Sequence, residues 1–545
     1  MNIKPVENMF AKHVATNKLN IYMLTFSNLC KLLFNGFNTG NKIIRILLIA
    51  LLHISLPLII YSQKPTKVKL IRANDLKYDK RLGEKVQRLI GDVILKHDST
   101  YLYCDSAYLY EATNSFDGFG NVHIKVSDTL NIYSNLLNYN GNTRIAELHK
   151  NVILIDKKAT LYTEHLWYNR LTNIAYYHTG GRIVDKENEL ISKIGYYYTD
   201  WKEAFFRDSV VLVNPRYIMN TDTMMYNTET DISYFYGPTI ITSDENFIYC
   251  ENGWYDTRND KSQFKENAYI LTEEQKLRGD SLYYDRQLNY GEAYYNVSLT
   301  DTVQDMIILG EYGEFRKNDG YAFVTDSAVA ILIDINDSLF LHSDTLWLNF
   351  DSAQNIEYLL GYYKTKFYRK DLQGMCDSLV YDFADSTIFL YKSPVLWSEE
   401  NQLTADSVRI ALSNNQIDTL ALINSAFIIS IDDTISMSTF NQIKGKIMTG
   451  YFRDNEMEKV KIFGNAESIF YVREESGGLL GINKTSSNDM NIYLSDNEVQ
   501  IVTPIKNVDA HMYPDHELTP KDLSLKGFKW IEDRRPMRKE DIFVW

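Results

Sequence analysis

Gly279-Asp280-Ser281-Leu282 is the stretch of this 545-residue chain that comes nearest to spelling a catalytic nucleophile. A serine hydroxyl attacks only when a neighbouring base takes its proton. The block lies mid-chain with no such base marked out, so Ser281 reads as a strand residue. The second candidate is a series of carboxylates. Asp105, Asp222, Asp280, Asp344, Asp377 and Asp406 recur, with Glu164, Glu251 and Glu311 at the same phase. A column of them could do acid–base work or hold Ca²⁺. Each Asp is followed by Ser or Thr, however, and at a strand start such an Asp ordinarily caps a turn by bonding to backbone N–H groups. The clustered glycines of a calcium-binding β-roll are missing. His165, His178 and His342 stand alone, with no Cys or His at zinc-ligand spacing. There is no Walker or dinucleotide loop. These residues assign no catalytic group, no cofactor and no metal.

What they share is a place in a repeat. Gly91-Asp92-Val93-Ile94-Leu95, Gly120-Asn121-Val122-His123-Ile124 and Lys150-Asn151-Val152-Ile153-Leu154 belong to one half of it. Cys104-Asp105-Ser106-Ala107, Asp280-Ser281-Leu282-Tyr283-Tyr284 and Asp377-Ser378-Leu379-Val380-Tyr381 belong to the other. A cycle takes roughly 30 residues, within the range of stacked repeats. Inside a cycle the apolar residues alternate: Val122 and Ile124 share one face, His123 and Lys125 the other. Asp280, Leu282 and Tyr284 fall on a common face, with Ser281 and Tyr283 opposite. A one-residue slip would turn the core to water, so the register is strongly specified. A single layer cannot cover its own apolar face, and stacking buries a continuous interior. The fold expected is all-β, an elongated, solenoid-like stack of short antiparallel strands.

First strands are expected to start near Gly91, Gly120, Lys150, Gly181, Asp208, Gly237, Glu266, Tyr295, Asp326, Tyr363, Ser393, Asn424 and Gly464. No Pro-rich or Ser-rich linker divides the series, so residues 63–475 read as one array. Ser476-Gly477-Gly478 then makes a joint, and residues 490–494 and 498–502 read as a hairpin. Residues 476–545 are expected to cap the open end of the sheet.

Composition agrees. There are 40 Tyr against 10 Pro, and Tyr favours strands while Pro opposes them. A net charge of −14 gives no basic stripe for nucleic acid. Residues 1–62 differ from the rest. Lys42 and Arg45 precede an apolar run over 46–60, ended by Tyr61-Ser62, which reads as a secretory signal peptide with an N-terminal membrane anchor as the alternative. Beyond that run only Cys104, Cys250 and Cys376 remain, each just before the acidic residue of its repeat. They lie several layers apart, too far for the roughly 7 Å a disulfide allows.

Ala73-Asn74-Asp75-Leu76-Lys77-Tyr78-Asp79 opens a succession of Gly-Asp-Val and Asp-Ser-Ala segments that resembles the OstA-like proteins of periplasmic lipopolysaccharide transport. The likeness is clearest over residues 70–300. It implies a β-jellyroll, open along one side, whose apolar interior holds the acyl chains of lipopolysaccharide. It also implies end-to-end stacking into a bridge, with inner-membrane and outer-membrane transport components as partners. On that reading the groove residues are Val122, Ile124, Val152, Leu154, Leu282, Tyr284, Leu379 and Tyr381, and head-group contact falls to Lys or Arg at the trough mouth. The block at Gly279 resembles that of the GDSL (SGNH) hydrolases, which carry it near the start of an α/β domain and pair it with a late Asp-x-x-His; none of the ten histidines here has an Asp three positions before it. The rival reading is a secreted structural or adhesive β-solenoid with a filled interior, binding protein or glycan on its outer face.

Overall fold

The repeat is built around a bulge. Where Phe119 pairs with Leu136 and Val122 with Ser134, the two residues Gly120 and Asn121 face the single residue Asn135. The same two-against-one step recurs at Gly91-Asp92 opposite Asp105, Lys150-Asn151 opposite Glu164, Glu266-Asn267 opposite Asp280 and Tyr363-Lys364 opposite Asp377. Bulged residues take left-handed backbone, φ 73° at Gly120 and 43° at Asn121, which Gly and Asn adopt most readily. A bulge bends its strand and raises its twist.

This corrects two expectations. The Gly-Asn-Val segments do not start strands; they crease them in the middle, as in Ser115–Lys125. Nor are the recurring acids turn caps. Most sit mid-strand opposite a bulge, Asp344 and Asp406 in the gap between two strands, and several carboxylates accept from the side chain of a bulge: Asn121 Nδ2 to Asp105 Oδ2 (2.9 Å), Asn296 Nδ2 to Asp280 Oδ2 (2.9 Å) and Lys392 Nζ to Asp377 Oδ2 (2.7 Å). At the acid the inward pattern changes phase, so Cys104 and Ala107 both point inward with Asp105 turned out. Asp280 is likewise exposed and does not share the inward face of Leu282.

A computed structural model describes residues 66–545 apart from 79–85, 158, 186, 335–336, 414–415, 433–437, 454–455, 475–476 and 496–497. The chain divides into two units, Met1–Thr66 and Lys67–Trp545; the expected export segment lies outside the described residues. Among the described residues of the second unit, 36 strands, paired antiparallel, join in one continuous sheet. No helix among the described residues is long and apolar enough to cross a membrane. The creases divide the sheet into two leaves. One holds residues such as 93–97 and 122–125, the other 86–90 and 115–119. The leaves fold onto each other, because residues from both sides of a crease, Phe116 and Ile124 among them, enter one packed cluster. The product is an all-β jellyroll with its crease on one side and two rows of strand ends, the lips, on the other.

Pairing continues through Met306–Arg316 and across the expected joint, where Glu456–Arg473 pairs with Leu479–Ser495. The expected hairpin is present, with Tyr493 opposite Ile501. Residues 514–545 do not cap the sheet end. They run back over the outer face of the first leaf, from Ile469, Tyr471 and Ile482, which take Leu518, Leu523 and Leu525, to His342 beneath Phe543. This strap is held by outward glutamines. Gln442 Nε2 donates to Leu523 O (2.8 Å) while Leu525 N donates to Gln442 Oε1 (2.9 Å). Gln402 does the same for Lys529 O and Ile531 N, both at 2.7 Å.

Candidate functional site

Inward residues are mostly apolar along the array, and the apolar ones fall into three successive packed groups, residues 89–177, 190–297 and 306–492. The inner wall of the second leaf carries a column of which the groove candidates include only Tyr284. Tyr139, Tyr168, Tyr197, Tyr226, Tyr255 and Tyr284 follow one another at intervals of 29 residues. That exact recurrence was the available signal, masked by the many outward Tyr residues. Tyr139 and Tyr168 are fully buried, while Tyr226, Tyr255 and Tyr284 are half-buried.

The column changes partners along the array. In the first third, hydrogen bonds and the Arg144–Asp98 ion pair join the two lips. Tyr139 Oη lies 2.6 Å from His97 Nδ1 and accepts from Arg170 Nη1 at 2.7 Å, and Arg170 Nη2 donates to His97 O at 3.2 Å. His97 ends one strand of the first leaf, and Arg170 follows the second-leaf end of another. Arg144 meets Asp98 across the same gap at 3.4 Å. Tyr197 Oη donates to Asp156 Oδ2 at 2.6 Å; burial first, and then that carboxylate, push its hydroxyl well above the ordinary tyrosine range. Farther along, Tyr226 and Tyr255 instead donate to Asp231 and Asp260 on their own lip.

The interior stays packed through the second group, with Phe235, Cys250 and Ala268 at zero exposure, and opens only in the third. A cleft of about 210 Å³ lies between Leu332, Leu339, Phe367 and Leu372 on one lip and Leu379, Tyr381, Phe383, Ile388, Leu412 and Ile417 on the other wall. Burial alone raises the Tyr381 hydroxyl above its ordinary pKa. Among the described lining residues Arg369 is the one cation, and Asp371 binds it at 2.6 Å, whereas Asp305, Asp334 and Asp337 line the same opening. The mouth is thus acidic, against the expectation of a Lys or Arg rim.

The eight groove candidates divide accordingly. Val122, Ile124, Val152 and Leu154 are at most 5% exposed and belong to the first packed group. Leu282 is buried in the second group, and half-buried Tyr284 donates to Asn289 Oδ1 at 3.3 Å. Leu379 and Tyr381 alone of the eight line the cleft. Ser281 faces outward, where its hydroxyl accepts from Gln263 Nε2 at 3.1 Å. His165 is not isolated: its Nδ1 lies 2.7 Å from His149 Nδ1, because the two face each other across paired strands. Among the described residues no three His, Cys, Asp or Glu gather as a metal site would require. The three cysteines are buried, and burial raises each thiol, Cys104 to about 11 and Cys250 and Cys376 to about 12.

Residues 65–222 match the family model described as OstA-like protein. Among solved structures, the chain is similar to the crystal structure of LptH from Pseudomonas aeruginosa, described as the LptA homologous periplasmic component of its conserved lipopolysaccharide transport device. Identity there is 13%, over 22% of this chain and 84% of LptH, with a TM-score of 0.19. No curated protein matches the sequence.

Proposed function

We propose, from a chain that is OstA-like over residues 65–222, that the jellyroll carries lipopolysaccharide through the periplasm, with acyl chains held between the leaves. The inner- and outer-membrane transport components would be its partners. The observation that supports this most is the cleft between the lips, where apolar side chains of both leaves meet solvent along an otherwise filled interior. A site for a drug-sized molecule spans about 300–1,000 Å³, so a cleft of about 210 Å³ takes acyl-chain ends, and a whole glycolipid requires the lips to spread. No arrangement of nucleophile, base and oxyanion donors accompanies it among the described residues, and binding is the chemistry this site supports.

The test is lipopolysaccharide binding by the full chain and by Leu412→Trp. Leu412 is half-buried at the cleft, so the larger ring fills open space there instead of overpacking a core. Wild type is expected to bind, and the variant to melt at nearly the same temperature while binding about tenfold more weakly, a loss of about 1.4 kcal/mol. A wild type that binds no lipopolysaccharide, or a variant that binds as well, sinks the reading. The filled first third favours the rival, a structural β-solenoid with an active outer face, and that rival predicts the first of these failures.

A further inference from the structure

We infer that the first third of the trough is a gated compartment: the lip-to-lip ties around Arg170, Arg144 and Tyr197 hold it shut, and they must part before an apolar ligand can enter. This rests on the proposed binding of acyl chains between the leaves.

Three observations carry it. The ties are local. Tyr139 and Tyr197 reach partners on the opposite lip, while Tyr168 between them and Tyr226, Tyr255 and Tyr284 farther along bond within their own. The interior behind the ties is sealed, with Leu95, Ile124 and Leu148 at zero exposure. The open cleft lies in the last third, lined by residues 303–417. Closure is also of a reversible kind. The crease is covalently continuous, but the lips of this third are joined by non-covalent contacts, the hydrogen bonds of His97, Tyr139, Arg170 and Tyr197 and the Arg144–Asp98 ion pair. Water can replace those bonds when the lips separate. The Arg144–Asp98 pair keeps 18% and 28% side-chain exposure, so solvent already reaches it. Separation would leave His97, Tyr139 and Arg170 hydrated and would uncover apolar wall on both leaves, a surface that an acyl chain can cover and water cannot. The ligand thereby favours the open state that it alone can fill.

The experiment uses the full chain and a fatty acid bearing a diazirine on its acyl chain. After irradiation, adducts are mapped by peptide mass spectrometry. Wild type should carry adducts on peptides within 303–417 and few within 86–177. The double variant Asp98→Asn with Arg170→Gln should raise the 86–177 adducts about tenfold, as expected when the closed state loses its bias, with those of 303–417 unchanged. Tyr197→Phe removes a single hydroxyl and serves if the double variant does not fold; it should raise adducts nearest residues 156 and 197. Equal labelling of both regions in wild type overturns the gate, as does a folded variant with no gain in 86–177. No adducts on any region in any protein would instead refute acyl-chain binding itself.

Discussion

At each crease a residue must adopt left-handed backbone, yet glycine fills only some of these places. Lys150, Asp208, Glu266, Tyr295 and Asp326 hold φ between 56° and 69° with full side chains. Backbone strain alone therefore does not select glycine here; what the Cβ would strike does. At Gly120 a Cβ would fall against the carboxylate of Asp105 and within 3.1 Å of its Cβ and Cγ, whereas at Gly237 the nearest atom is Asp222 Cβ at 3.3 Å. Gly120→Ala should accordingly cost about 1–3 kcal/mol, and Gly237→Ala less, since both bear left-handed strain but only the first displaces the Asp that anchors Asn121. Urea unfolding of the two variants checks this. Equal losses would show that φ is the whole effect. Contacts of this kind explain why a series of acids with the look of a catalytic or calcium column is structural: the carboxylates of Asp105, Glu251, Asp280, Glu311, Asp344 and Asp377 are engaged by the crease they face.

At the scale of elements, the strap is the part whose role was least expected. Its backbone pairs with no strand, and the amides of Gln402 and Gln442, both buried, replace the missing ladder by receiving an N–H and serving a C=O two residues apart. Each such bond contributes roughly 0.5–1.5 kcal/mol. Replacing both glutamines by Leu should free the tail while leaving the sheet intact. Hydrogen exchange would then rise at the Leu525 and Ile531 amides to the rate of their exposed neighbours, with protection of the core strands unchanged. Protection that persists at those two amides would mean that the apolar contacts of Leu523, Trp530 and Ile531 suffice by themselves. The sequence offered a hint in Trp530 and Phe543, large apolar residues in a tail with no strand period. What it could not offer was the face they cover, because that depends on which leaf turns outward.

The whole molecule should be sensitive to alkali. Burial raises the hydroxyls of Tyr168 and Tyr177 to about 12 from an ordinary value near 10. The folded state keeps these protons where the unfolded chain has released them, so their stabilisation is complete below pH 10 and is lost as the pH climbs toward 12. Each such group accounts for roughly 2–3 kcal/mol over that window. Urea midpoints should stay flat from pH 7 to 9 and fall above 10, and Tyr177→Phe should soften the fall. A midpoint that holds through pH 11.5 would contradict a sealed first third. Much of this architecture was written in the sequence. The alternation of Val122 and Ile124 with His123 and Lys125, and its return every cycle, determined that the chain is a stacked β protein with a continuous apolar interior and one fixed register, because period two admits no other burial. The sequence also marked the positions that recur. It did not determine what they do: Gly120-Asn121 and Asp105 could equally end a strand or crease one, since a left-handed pair serves both. Tertiary structure decided that, by placing most of the acids opposite a bulge. It decided as well where the interior is closed and where it opens, because the lips join residues as distant as His97 and Arg170, and no local pattern records how far two leaves are turned before they meet.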